Sequence, residues 1–549
     1  MTRIILHFKN PRWYSITTHL NSTEVWTRGF AFKGESLYDK HRFTELFMTT
    51  TMGMTGKDKE NPTLNLLHQL NGNFAIVSKY SDRLFAAVDQ CRSIPLFYGQ
   101  KDRCFFLSDD AQWIRLQVGD SDLDPLSIKE FMLTGYVTGP NTLFPNVKQL
   151  QAGECLWVQI RMDKPELTTH RYYRWIHGDY FNASEEELCV AMDRVHLRVF
   201  ERLLETTKGY TIIIPLSGGY DSRLIATMLK RLGRDDVICF SYGKANNWES
   251  KISQQVSTTL GYPWLFVPYT RKKWREWFNS SELFEYTWFG SGLCSLEHTQ
   301  DFPAVWTLKQ QGYLPENSIF VPGHTGDFIS GGHLSKDWGK TGKIDNFKLL
   351  SWINQKHYAY WKLDYQRFSM NFASKILSSL FLESWNTFDE MASLYESWEW
   401  QERQSKFIIN SVRVYEFWGY EWRIPLWDKE LMDFWAKVPL KYRIGKNLYN
   451  KYVQRLFREF GVDYEAKSSP RNREDKTGLK EKILGIVRDM KDPRLGQYSL
   501  RDHWNCLRFY NRIFPTNIPR SLRNIVKLNT MGTYTTLSRM HKKKEIRTL

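Results

Sequence analysis

The sequence predicts an α/β protein in two parts, a sheet-rich α+β segment followed by a parallel sheet with helices on its faces. Three observations lead there. Residues 1–175 read as short β-type runs at 3–8, 74–79, 84–88, 105–107 and 155–160, divided by turn residues. A polar stretch at 177–187 then gives way to helical spacing at Leu188, Met192, Val195 and Val199. Beyond it strand and helix alternate, the order that builds a parallel sheet through right-handed crossovers.

The alternation can be followed unit by unit. Residues 211–216 form an apolar run, followed by Ser-Gly-Gly and then by Leu224, Met228, Leu229 and Leu232 on one helical face closed by Gly233. A strand at 237–242 precedes a helix that aligns Ile252, Val256 and Leu260 and stops at Gly261, and a third strand follows at 264–269. Sheets of this kind bind ligands beyond the carboxyl ends of their strands.

Length and composition set the frame. With 549 residues the chain exceeds one ordinary core, and we expect domains at 1–175 and 185–480 with a basic extension at 481–549. Hydrophobic residues at 42% and charged residues at 25% are globular values. No apolar stretch reaches the roughly 18 residues of a membrane helix, and the first residues lack a signal-peptide core, so a cytoplasmic location without a membrane span is expected. The seven cysteines are scattered and form no CxxC pair, which indicates neither a disulfide framework nor a zinc site. A formal charge of +16 suits nucleic acid, an anionic surface or an acidic substrate such as ATP. The basic run 541–544 reads as a solvated tail.

The most informative string is Ser217-Gly218-Gly219-Tyr220-Asp221-Ser222, between a buried strand and a helix start. Backbone N–H groups there can converge on an anion, with Ser217 and Ser222 adding hydroxyls. Gly218 and Gly219 permit positive φ and close approach. Asp221 fits a phosphate loop if it holds Mg²⁺, which prefers carboxylate and phosphate oxygens. The loop lacks the Lys-Ser/Thr ending that serves γ-phosphoryl transfer. It resembles the SGGxDS signature of the PP-loop ATP pyrophosphatase family, which cleaves between the α and β phosphates. That resemblance implies an adenine-nucleotide α-hydrolase-like fold, with ATP against Ser217, Gly218, Gly219, Asp221, Ser222 and Gly243.

A second string at 319–333, containing Gly323-His324-Thr325-Gly326-Asp327, resembles the SGEGxDExxGGY segment of asparagine synthetases. It implies that Asp327 joins Asp221 in holding Mg²⁺ and that Gly323 lies against the nucleotide. Residues 241–249, 421–428 (similar to ExRxPFLD) and 445–447 continue the resemblance. Upstream, 70–75, 89–98 and 135–144 resemble the class II glutamine amidotransferase half of the same family. Thr2 stands where a working glutaminase has cysteine, and the arginine- and histidine-rich glutamine-holding segment is missing. A degenerate, non-hydrolysing amidotransferase domain is therefore expected, even though a terminal threonine can be a nucleophile elsewhere.

Both chemical steps of such an enzyme build negative charge, which a lysine can answer. Lys476 is the candidate and Lys467 the reserve, within 467–478, where solvated loop charges are the alternative reading. His324 stands where asparagine synthetases have glutamate and β-lactam synthetases tyrosine. It could be a general base, a contact for a substrate carboxylate, or inert.

The resemblance implies an ATP-dependent carbon–nitrogen ligase that adenylates a carboxylate and releases AMP and pyrophosphate. Ammonia or an amine accepts the acyl group, with a partner amidotransferase as one source of the nitrogen. Aspartate (asparagine biosynthesis), a sugar acid and a peptide carboxylate, as in lasso-peptide cyclases, stay open as substrates. A tRNA-modifying PP-loop enzyme is the competing class, suggested by the charge, yet no RNA-binding module or catalytic cysteine pair is identifiable. A non-catalytic protein that kept the nucleotide fold is the third.

Overall fold

The computed structural model describes residues 3–18, 23–51, 62–80, 82–161, 164–335, 345–360, 365–381, 385–464 and 529–540. It is a mixed α/β protein. The first part contributes β1 (Arg3–His7), β2 (Tyr14–Thr18), β3 (Thr23–Lys33), β4 (Ser36–Asp39), β5 (Leu70–Lys79), β6 (Arg83–Val88), β7 (Phe97–Lys101), β8 (Cys104–Ser108), β9 (Lys148–Gln149), β10 (Glu154–Arg161) and β11 (Lys164–Arg171). They make a sheet of order β1-β8-β7-β9 and a second of order β11-β10-β6-β5-β3-β2, with β4 on β3. Among these, β2 to β4, β7, β9 and β11 lie outside the runs read from the sequence. In β3 Val25, Thr27 and Ala31 are buried on one face and Arg28 and Phe32 on the other, and the register with β5 runs unbroken through Gly29, whose φ is 94°.

The second part carries β12 (Thr211–Pro215), β13 (Val237–Gly243), β14 (Trp264–Pro268), β15 (Ser318–Phe320) and β16 (Glu421–Trp422). They form a wholly parallel sheet of order β14-β13-β12-β15-β16. The chain steps outward from β12 to β14 and then returns to the other side of β12 at β15. The carboxyl ends of β12 and β15 therefore flank the point where the strand order reverses, the ligand crevice of open α/β sheets. Helix Glu185–Thr206 enters through a capping box between Ser184 and Glu187.

One apolar core spans both parts, joining Ile4, Val77 and Trp175 to Ile213, Phe320 and Trp427. The Trp175 indole donates to the Met432 carbonyl at 2.9 Å and packs on Phe328. Buried charge also crosses the seam. Glu416 accepts from Arg28 of β3, from Arg413 at 2.7 Å and from the Trp422 indole at 2.7 Å. Helix Asn529–Met540 belongs to the same body: Leu537 is buried in a second core cluster with Leu293 and Phe131, and Thr536 donates to Glu297 at 2.7 Å. Among the described residues no helix is long and apolar enough to cross a membrane.

Because Glu416 answers two buried guanidiniums, Glu416→Ala leaves Arg413 without its carboxylate partner and Arg28 with Asp109 at 3.9 Å. Urea unfolding is expected to show a loss of about 3–5 kcal/mol. A change under about 1 kcal/mol would mean that water reaches the seam.

Candidate functional site

Two turns meet at the reversal of strand order. After β12, Leu216 to Gly219 pass into helix Tyr220–Arg231, whose start has no side-chain cap and so keeps backbone N–H groups available for an anion. Ser217 N–H donates to Ser222 Oγ at 3.1 Å, the two hydroxyls lie 3.2 Å apart, and Gly219 N–H donates to Ser217 Oγ at 3.1 Å. The expected positive φ at Gly218 and Gly219 is not used: neither lies in the left-handed region. Close approach is what Gly218 supplies, since a Cβ there would meet the Trp248 ring at 2.6 Å. Gly243 ends β13 with φ 120°, and its carbonyl accepts from Tyr269 N–H at 2.8 Å.

The second turn follows β15. It lies directly on the first because Gly323 and Gly326 lack side chains. A Cβ on Gly323 would come 2.5 Å from Ser222 N, and one on Gly326 would fall inside the Asp221 carboxylate. The Asp327 N–H then donates to Asp221 Oδ2 at 3.0 Å, and Tyr449 O–H donates to Oδ1 at 2.7 Å. Between them Thr325 holds φ 87°, a conformation that β-branched residues rarely adopt and that clusters at functional sites.

The electrostatics follow from this crowding. Burial and the neighbouring Asp327 push Asp221 up to about 6, against the opposing influence of Lys446 and Tyr449. Asp327 is largely exposed and ion-paired with Lys446, itself at φ 61°. Among the described residues no group of three or more His, Cys, Asp and Glu could hold a metal ion. Two mutually repelling carboxylates beside a free helix start still suit Mg²⁺, which is bound by one or two carboxylates and completes its shell with phosphate oxygens and water.

Several site residues escaped sequence reasoning. Arg223, fully buried, clamps the first turn by donating to Gly218 O at 3.0 Å and to Val462 O and Tyr464 O at 3.1 Å. It sits inside the signature string, so its position was a usable signal. Lys446 and Tyr449 lie in and beside the 445–447 segment, but nothing in their spacing announced contact with the acids. His324 lies beside Gly323, with Ser411 Oγ 3.2 Å from its ring nitrogens. Burial, then the nearby His298, lower it to about 4. His298 stands 6.4 Å away, centroid to centroid, with Nε2 3.4 Å from Asp301. Asp301 also accepts from Tyr242 and, at 2.9 Å, from Tyr415. Lys476, Lys467, Thr2 and the run 541–544 fall outside the described residues.

Residues 60–173 match the family of glutamine amidotransferase domains. The match lies within the sheet-rich first part and does not reach the parallel sheet. No curated protein matches. Among solved structures, NMN synthetase from Francisella tularensis is 13% identical, covering 28% of this chain and 60% of its own, at a TM-score of 0.19. The NH3-dependent NAD synthetase from Campylobacter jejuni subsp. jejuni is 12% identical, covering 36% and 83%, at 0.19. Glutamine phosphoribosylpyrophosphate amidotransferase from B. subtilis is 12% identical, covering 58% and 59%, at 0.20. The chain thus spans less than two thirds of the first and third of these proteins.

A raised carboxyl makes cation binding pH-dependent. Asp221 keeps its proton below about 6, so Mn²⁺ or Mg²⁺ affinity measured by calorimetry is expected to fall about tenfold per pH unit below that point and to level off near 7. The same shift lowers the stability of the metal-free protein as pH rises from about 4 through 6, because the folded state holds the proton more tightly than the unfolded chain. In Asp327→Asn both transitions should move towards ordinary aspartate values. Unchanged transitions would separate the two acids.

Proposed function

We propose that this chain is an ATP-dependent amidotransferase-type ligase that adenylates a carboxylate and passes the acyl group to ammonia or an amine. The observation that carries the reading is the meeting of Asp221 and Asp327, from turns after neighbouring parallel strands, beside an uncapped helix start. In this reading Ser217, Gly218, Gly219, Ser222, Gly243 and Gly323 surround the phosphates and Asp221 and Asp327 hold Mg²⁺. The cation would polarise the α-phosphate and neutralise its charge. A substrate carboxylate oxygen attacks the α-phosphorus, the α–β bridging bond breaks, and pyrophosphate leaves. Nitrogen then attacks the acyl carbon, AMP leaves, and one proton must be taken up.

The chain's own side chains divide these tasks. Lys446, beside Asp327, is placed to answer the phosphate charge, a part proposed also for Lys476 or Lys467. His324, lowered to about 4, is a weak base at neutral pH and suits a hydrogen-bonding role towards the substrate. His298, backed by Asp301 at 3.4 Å, has the base-and-orienter arrangement that proton uptake from nitrogen needs.

Two observations support an external nitrogen source. Asn71, in the amidotransferase-like stretch, donates to Asp428 at 3.0 Å and accepts from Lys429 N–H at 2.9 Å. The cleft beside it has room for about 40 Å³, too little for glutamine. Aspartate, a sugar acid and a peptide carboxylate are the candidate acceptors of adenylate.

Purified protein is expected to catalyse Mg²⁺-dependent exchange of labelled pyrophosphate into ATP in the presence of its carboxylate substrate, found by screening those three classes. Formation of ADP and phosphate instead would defeat the reading. Asp221→Ala and Asp327→Ala should each lower exchange by about 10²-fold or more, the loss of charge stabilisation at a transferring phosphoryl group. Wild-type exchange in either variant removes that residue from the site. His298→Gln should retain exchange and slow amide formation by about 10²–10⁴-fold. Equal losses in both assays would instead make His298 a binding residue.

A further inference from the structure

Away from the paired acids, a polar cavity of about 390 Å³ opens where β10 and β11 approach helix Tyr365–Leu377 and the wide π-type turns at Trp400–Ile408. Its volume falls within the range of small-molecule sites. Arg171, Arg174 and Lys375 line it, against the single carboxylate of Glu154. Some of this charge is answered internally. Lys375 is ion-paired with Glu130, and Glu154 accepts from Gln151 N–H at 2.8 Å.

The arginines are not matched in this way. Arg171 donates through Nη1 to the Ala152 carbonyl at 2.7 Å, and among the described residues no hydrogen bond engages its Nη2. Arg174 is half-buried, and among the described residues no hydrogen bond or ion pair engages it. Burial first, and then the adjacent Arg171, weaken its hold on its proton, while Glu154 opposes them. Two neighbouring guanidiniums with spare donors are costly to keep out of water unless something anionic completes them. Their planar forks match carboxylate and phosphate oxygens in pairs. Thr169, Ser378, Ser379 and Asn141 supply hydroxyl and amide groups around the same space, a wall suited to a hydroxyl-rich body.

We propose that this cavity is a second binding site, for a small anion whose carboxylate or phosphate is gripped by Arg171 and Arg174 and whose body carries several hydroxyls, as in a sugar acid or sugar phosphate. The site is independent of the ligase reading. Gln401, at the start of the π-type turns, lines the cavity, and Ser411, in the 3-10 turn that follows them, touches His324. Mid-chain π turns are frequent at functional positions.

The test titrates the full chain with glucuronate, glucose 6-phosphate and glucose at constant ionic strength, following Tm and tryptophan fluorescence. Saturable stabilisation by at least one of the two anions, and none by glucose, is expected. A response to glucuronate alone identifies a carboxylate ligand, and one to glucose 6-phosphate alone a phosphate. Arg174→Gln should weaken binding by about tenfold or more while leaving the Tm of the ligand-free protein unchanged or higher. Arg174→Lys, which keeps the charge but not the fork, should also bind more weakly and guards against a folding defect. No saturable response to either anion, or a response that both variants retain, overturns the proposal, the latter placing the anion at the phosphate turn instead.

Discussion

The arrangement of the site rests on one contact, the seating of the turn after β15 on the turn after β12. It exists because residues 323 and 326 have no side chain, so that Ser222 and the Asp221 carboxylate can occupy the space a Cβ would take. From that seating follow the hydrogen bond from Asp327 N–H to Asp221, the crowding of two acids, and the raised carboxyl at 221. Neither turn could be rebuilt with ordinary residues without pushing its partner away. Thr325 in a left-handed conformation shows that the second turn is held in place against local preference.

Buried charge holds the surroundings. Arg223 ties the first turn to the backbone near Val462 and Tyr464. On the other side Arg443 makes two hydrogen bonds of 2.8 Å to Glu396 and donates to the Ile329 carbonyl, while Gly331 packs against its own backbone. His333, at the end of the second turn, pairs with the fully buried Glu399. The two turns are thus gripped from outside by ionic groups that reach backbone carbonyls. Removing one partner of such a buried pair leaves the other charge uncompensated, which is why these contacts hold the turns in place.

Much of this was legible in the sequence, for a physical reason. A strand–turn–helix unit compresses its phosphate contacts into consecutive residues, so Ser217 to Ser222 and Gly323 to Asp327 could be read as strings, and the alternation of strands and helices gave the parallel sheet. What could not be read depends on packing between distant segments. Lys446 and Tyr449 reach the acids only because helix Asn447–Glu459 docks beside helix Tyr220–Arg231. The left-handed residues fall at Thr325 and Lys446 rather than at Gly218 and Gly219, since strain is set by how the turns stack. The long strand β3 was hidden because residues on both its faces are buried, Thr27 and Ala31 on one, Arg28 and Phe32 on the other, so no clean alternation marks it.

Helix Asn529–Met540 bears on how the chain is closed. It rests on the body through Leu537, Thr536 and Arg539, whose guanidinium donates to Thr287 at 2.7 Å. Removing that helix would bare Leu293 and Phe131 of the second core cluster and strip the buried Glu297 of its Thr536 donor, so what is lost with it is a wall of the body and not an appendage.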